Sequence, residues 1–139
     1  MSLPFHYVDL RAFCYATEAE PRVTDALRML VPEAVEIDRA KGEGHHGDPI
    51  VILSARVERA AEMDHVFARL RESVDFEAIR DELPDRIDEN NSLYLQLDKQ
   101  AAAQGEIRLG QGITVRAKVE AYPAKRETAI ENAREALSD

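Results

Sequence analysis

A chain of 139 residues fits one domain, 1–139, able to bury roughly two-thirds of its unfolded surface in a single core without a covalent staple. Cys14 is its one cysteine, which excludes a disulfide framework, argues against a thiolate zinc site and suits a reducing cytoplasm. Against 27 acidic residues stand 18 basic ones, a net charge of −9, and a charge of that sign speaks against a ligand held by phosphate attraction alone.

Only four of the basic residues are lysine, so the surface is acidic and lysine-poor, either as a halophilic adaptation to a salt-rich cytoplasm or through an arginine bias. The start, MSLPFHYVDLRAF, lacks the basic and apolar run of a signal peptide, and no window approaches the roughly twenty apolar residues of a membrane span. A cytoplasmic location is expected.

Residues 5–16 alternate as a half-buried strand, with Val8, Leu10, Ala12 and Cys14 on one side and Tyr7, Asp9, Arg11, Phe13 and Tyr15 on the other. Thr17 and Glu20 have capping-box spacing, Pro21 suits a first turn, and Val23, Ala26, Leu27 and Leu30 recur at helical spacing until Pro32. A short strand is expected from about Ala34 to Lys41, a loop over 42–49, and a second strand from Ile50 to Val57, together a hairpin. Met63, Val66, Phe67 and Leu70 mark another helix, and the acidic run Asp75–Glu89, broken by Pro84, reads as a short helix or solvated connector.

Three more strands follow from alternation at Leu93/Leu95/Leu97, at Ile107/Leu109 and at Ile113/Val115/Ala117/Val119. Ala129, Ile130, Ala133 and Leu137 close the chain with a helix. The fold expected is α+β, a single mixed or antiparallel sheet of about six strands with helices packed on one face.

Most chemical motifs fail on context. The run Gly42 to Gly47 has the letters of a dinucleotide fingerprint, but a strand and not a helix follows it, so no helix amino end could receive the pyrophosphate. His45, His46 and Asp48 offer metal donors, yet adjacent histidines in an extended loop point apart. Gly105 to Gly112 lacks the Gly-Lys-Ser/Thr of a phosphate loop, and no serine, cysteine or histidine is set up for nucleophilic catalysis. No catalytic residue, metal or cofactor is expected.

Charge is polarised along the chain: residues 58–91 carry eleven acids against five bases, and residues 92–126 three acids against six bases. The polar side of the expected sheet collects Tyr7, Arg11, Phe13, Tyr15, Ser54, Arg56, Tyr94, Gln96, Arg108, Arg116 and Lys118, with Tyr122 nearby. Arginine and tyrosine interleaved on an open sheet suit single-stranded nucleic acid, because bases stack on rings and guanidinium planes while cations meet phosphates. An ordinary second face, covered by a partner or by loops, remains the alternative.

Gly44-His-His-Gly-Asp-Pro-Ile50, the run Arg86 to Gln100 with Gly105 downstream, and Tyr122-Pro-Ala-Lys-Arg126 carry a resemblance over nearly the whole chain. The sequence resembles a family of archaeal RNA-binding proteins regarded as exosome subunits, related in fold to the ribosomal protein that holds 5S ribosomal RNA. The resemblance implies a non-catalytic RNA-binding role, partners in an exosome or other RNA-processing assembly, and a monomer or homodimer. It adds Lys99, Gln100, Tyr122, Lys125 and Arg126 to Arg11, Arg56, Tyr94, Arg108, Arg116 and Lys118 as candidate RNA contacts. Asp98 is equally suited to cap a short Ala-rich helix beginning at Lys99, a reading compatible with the first. A protein scaffold meeting its partner through the same sheet is the second hypothesis, and an enzyme of small acidic metabolites a weaker third.

Overall fold

The strongest alternation in the sequence becomes the centre of the sheet. In the computed structural model, which describes residues 3–44 and 46–138, β1 (Phe5–Tyr15) is the middle strand. It pairs antiparallel on one side with β3 (Pro49–Val57) and on the other with β5 (Gly112–Val119). β2 (Asp38–Glu43) and β4 (Ser92–Asp98) form the edges, giving five strands in the order β2-β3-β1-β5-β4, all antiparallel.

The class is as expected and the strand count is one lower. Ile107 and Leu109 do not form a strand: a single bridge, Leu97 to Leu109, is all that segment contributes. Its pairing ends where Gly110 closes on the end of β4, so close that a Cβ there would lie 2.6 Å from the Cβ of Asp98. β2 begins at Asp38 and not near Ala34, because Arg28 Nη1 donates to the carbonyls of Pro32 (2.8 Å) and Val35 (2.7 Å) and holds that stretch as a turn.

The helices are α1 (Glu20–Arg28), α2 (Ala60–Ser73), α3 (Phe76–Asp81), α4 (Leu83–Arg86), α5 (Lys99–Ala103) and α6 (Arg126–Ala136). The expected capping box at the first of them is absent: Ala19 is the N-cap and makes no side-chain cap bond, while Glu18 accepts the Tyr15 N–H instead. The acidic run 75–89 is more structured than a connector. Asp75 caps α3, the break falls at Glu82 with Pro84 in the first turn of α4, and Phe76, Ile79, Leu83 and Ile87 are buried.

Val8, Leu10, Ala12 and Cys14 of β1 face the helices, together with Leu53, Ala55 and Val57, Leu93, Leu95 and Leu97, and Ile113, Val115, Ala117 and Val119. Val23, Leu27, Met63, Val66, Phe67, Leu70, Ala129, Ala133 and Leu137 come down on them, and the rings of Phe5 and Phe67 stack with centroids 4.7 Å apart. Alternation along each strand then sends the intervening side chains to the other face, which no helix among the described residues covers. No helix among the described residues is long and apolar enough to cross a membrane. His45, one of the two loop histidines weighed as metal donors, lies outside the described residues.

Candidate nucleic-acid interface

Strand register assembles the uncovered face row by row. Tyr94, Arg116, Asp9 and Arg56 form one row across four strands, and Gln96, Thr114, Arg11, Ser54 and Asp38 form the next across five. Tyr7 and Lys118 oppose each other beyond the first row, and Phe13 and Ile52 beyond the second. Within these rows four cations, Arg11, Arg56, Arg116 and Lys118, stand against two carboxylates, Asp9 and Asp38, in a chain whose overall charge is −9. The sheet has thus gathered basic groups that are far apart in sequence. Among them lies a shallow hollow of about 520 Å³, lined by Asp9, Arg11, Ser54, Arg56, Tyr94 and Arg116 among others.

Asp9 organises that hollow. Its carboxylate accepts from Arg56 Nε at 2.7 Å and Arg56 Nη2 at 2.9 Å, and from Arg116 Nη2 at 2.7 Å. Partial burial by itself would raise the Asp9 pKa, but these charge-assisted bonds outweigh it and hold the group below its ordinary 3.8. The Asp9 bond raises the Arg116 pKa above its ordinary value, and Tyr94, which stands opposite Arg116 in the register, adds a smaller push in the same direction. Both guanidinium groups lie over the Tyr7 ring, Arg56 at 4.0 Å and Arg116 at 5.8 Å from its centroid. The outcome is two arginine planes fixed in orientation around a tyrosine, still 49% and 37% exposed along their side chains. Fixing a guanidinium in advance lowers the entropy lost when a base or a phosphate meets it.

The remaining candidates divide by surroundings. Arg11 is exposed and lies 5.5 Å from the Phe13 centroid. Lys118 donates to the Asn90 carbonyl, a neutral partner. Arg108, 62% exposed, stands in the loop beside β4 at 3.9 Å from Asp98 and 4.0 Å from Glu106. Tyr122 is 96% exposed in the connection to α6, and Lys125 is the exposed N-cap of that helix. Arg126 is turned to the protein, donating to the carbonyls of Ile87 and Pro84, so it ties α6 to the end of α4.

Lys99 begins the short helix capped by Asp98, as expected, but its side chain does not face solvent as an RNA contact would. It is buried, and its Nζ donates at 2.7 Å both to the Phe13 carbonyl and to Glu18 Oε1, 4.8 Å from the Tyr15 centroid. Burial would raise the Glu18 pKa, but the bonds from Lys99 and the Tyr15 N–H hold it below 4.5. Asp98 caps α5, its Oδ1 accepting the Ala101 N–H at 2.9 Å. Gly112, at φ +115°, closes over this corner with no room for a side chain, since a Cβ would meet the Lys99 Cβ at 2.5 Å. The Asp98-Lys99 motif is therefore a structural clasp on the end of β1, with Gln100 exposed beside it. Sequence reasoning passed over Asp9, because an acid on a cation-rich face looks like noise until its partners at 56 and 116 are known.

Comparison with known proteins supports the same direction. Residues 7–119 match the family described as RNA binding. The RNA-binding protein PAB1135 of Pyrococcus abyssi is 32% identical over 97% of this chain and 95% of its own length. Among solved structures, AF2318 of Archaeglobus fulgidus superposes with TM-score 0.86 at 36% identity, covering 95% of this chain and 99% of that one. Mth689 of Methanothermobacter thermautotrophicus, a DUF54 protein, superposes with TM-score 0.80 at 42% identity, covering 96% and 98%. The chain belongs to this RNA-binding family.

Proposed function

From membership in that family we propose that the chain is a non-catalytic RNA-binding protein that receives RNA on the uncovered face of its sheet. The observation that carries the reading is the Asp9 cluster, in which Arg56 and Arg116 are held over Tyr7 within a cation-rich hollow. Arg11 and Lys118 would meet phosphates, and Tyr94, Tyr122, Arg108 and Lys125 would extend the contact at the rim. Because Asp9 offsets part of the charge of its two arginines, the electrostatic share is small. The equivalent of two or three phosphate contacts would give a salt slope between about −1.4 and about −2.1 with single strands, at about 0.7 per contact.

Fluorescence anisotropy with labelled unpaired and structured RNA across a salt series tests this. Binding weakened by Arg116→Ala and by Tyr94→Ala, in variants that keep the parent's circular dichroism, is the expected result; a parent with no RNA affinity at moderate salt would overturn it. Association with an exosome-type assembly rests on the family resemblance alone, and capture of its subunits by the tagged protein from a native lysate treated with ribonuclease tests that separately.

A further inference from the structure

The uncovered face does not end at the arginine cluster. The odd-numbered side chains of β1, namely Tyr7, Asp9, Arg11, Phe13 and Tyr15, run along one line on that face, and at its far end Phe13 and Tyr15 are 38% and 48% exposed. β5 pairs with β1 only as far as Ala12, so beyond that point β3 is the one strand paired with this stretch among the described residues, placing Ile52 and Ile50 beside the two rings. Each lies near a cation, Phe13 near Arg11 at 5.5 Å and Tyr15 near Lys99 at 4.8 Å. The backbone under them is locked too, since Lys99 Nζ holds the Phe13 carbonyl and Glu18 holds the Tyr15 N–H. Two aromatic side chains left about two-fifths and one-half exposed on a rigid backbone forgo part of the burial that usually stabilises such rings.

We infer that this line is a track for about four to five unpaired nucleotides, with Phe13 and Tyr15 as base-stacking seats at one end and the Tyr7–Arg56–Arg116 cluster at the other. The inference rests on the RNA-binding reading and names the form of RNA. Spacing carries it: alternate residues of a strand are roughly 6.8 Å apart, about twice the ~3.4 Å rise of a stacked nucleic-acid strand. Rings so placed cannot take neighbouring bases of a duplex stack, but they match bases splayed apart, each on its own seat. From Tyr7 to Tyr15 the track is about 27 Å long at that spacing. A protein partner fits less well, because the apolar end runs without a break into Arg11 and the arginine cluster. A ligand lying along β1 must then offer flat apolar groups and anions in one chain.

The sequence contains no tryptophan, so Phe13→Trp and Tyr15→Trp each install a single reporter. Unpaired RNA of five or more nucleotides should quench both emissions, a blunt duplex should not, and shortening the RNA to three should weaken binding. Phe13→Ser and Tyr15→Ser, in protein that keeps the parent's circular dichroism, should each lower affinity for the unpaired RNA at least about five-fold, the lower bound for one stacked base. If the parent binds RNA by anisotropy while neither reporter responds and both serine variants bind like the parent, the track is wrong and the broader reading stands. Equal affinity for duplex and unpaired RNA also overturns it, as does loss of a lysate protein from Phe13→Ser with RNA affinity intact. A parent that binds no RNA of any form removes the reading and the track together.

Discussion

Two cation–carboxylate clusters sit less than a strand's length apart on β1 and differ mainly in their access to water. Around Asp9, Arg56 and Arg116 keep about half and a third of their side-chain surface exposed. At the other end Lys99 keeps a tenth and Glu18 about a fifth. Both clusters pull a carboxylate pKa down and both place a cation near a tyrosine ring. Yet the exposed cluster can still offer guanidinium edges and faces to a ligand, whereas the buried ammonium is committed to two acceptors of the fold itself, the Phe13 carbonyl and Glu18. Burial, and not residue type, separates a binding group from a clasp. The contrast also predicts different costs, since an exposed pair contributes little to stability while halving a buried pair leaves a charge stranded.

The largest expected effect is on that clasp. Lys99→Met should destabilise the protein by about 3 kcal/mol in a urea titration, as the Phe13 carbonyl loses its ammonium donor and Glu18 keeps only the Tyr15 N–H, and adding Glu18→Gln should restore part of the loss. A Lys99→Met variant as stable as the parent would erase the distinction drawn between the clusters. Next comes the glycine that closes over it. Gly112→Ala combines a positive φ with a Cβ 2.5 Å from that of Lys99 and should cost about 2 kcal/mol in the same titration.

On the exposed cluster the effect moves from stability to binding. Arg116→Ala should lower RNA affinity about ten-fold, roughly 1.4 kcal/mol for a charge-assisted bond, and reduce the salt slope by about 0.7, while shifting the urea midpoint little. Tyr122→Ala sharpens the same point at the rim. At 96% exposure it should change stability by less than about 0.5 kcal/mol, and if Tyr122 stacks a base, affinity should drop by about 1 kcal/mol at every salt concentration.

The smallest effect is in pH. Glu18 has a folded pKa below 4.5, so the stability its pairing contributes is fully present above that value and is lost as pH falls through the lower folded one. Asp9 behaves likewise below 3.8. Denaturation midpoints should therefore fall as the solution is acidified below pH 4.5, less steeply in Glu18→Gln than in the parent.

Alternation and helical spacing made much of this legible in the sequence. The central strand, the hairpin, the burial of Val8, Leu10 and Ala12, and the core faces of α1, α2 and α6 follow from periods of 2 and 3.6 that a chain must satisfy to bury its apolar side chains. The resemblance read from Gly44–Ile50, Arg86–Gln100 and Tyr122–Arg126 likewise pointed to the family, and the Asp98 cap was readable because N-caps are local. Features set by long-range contact were not. The segment at Ile107 has the alternation of a strand but meets Gly110 pressed on Asp98, 12 residues away, and the turn before β2 depends on Arg28 reaching two carbonyls. Above all, whether a basic side chain faces water or the protein depends on partners far along the chain: Arg116 finds Asp9 across 107 positions, Lys99 finds Phe13 across 86. Sequence pattern fixes which face of an element a residue occupies; only tertiary packing decides what else reaches that spot, and so which charges remain for a ligand.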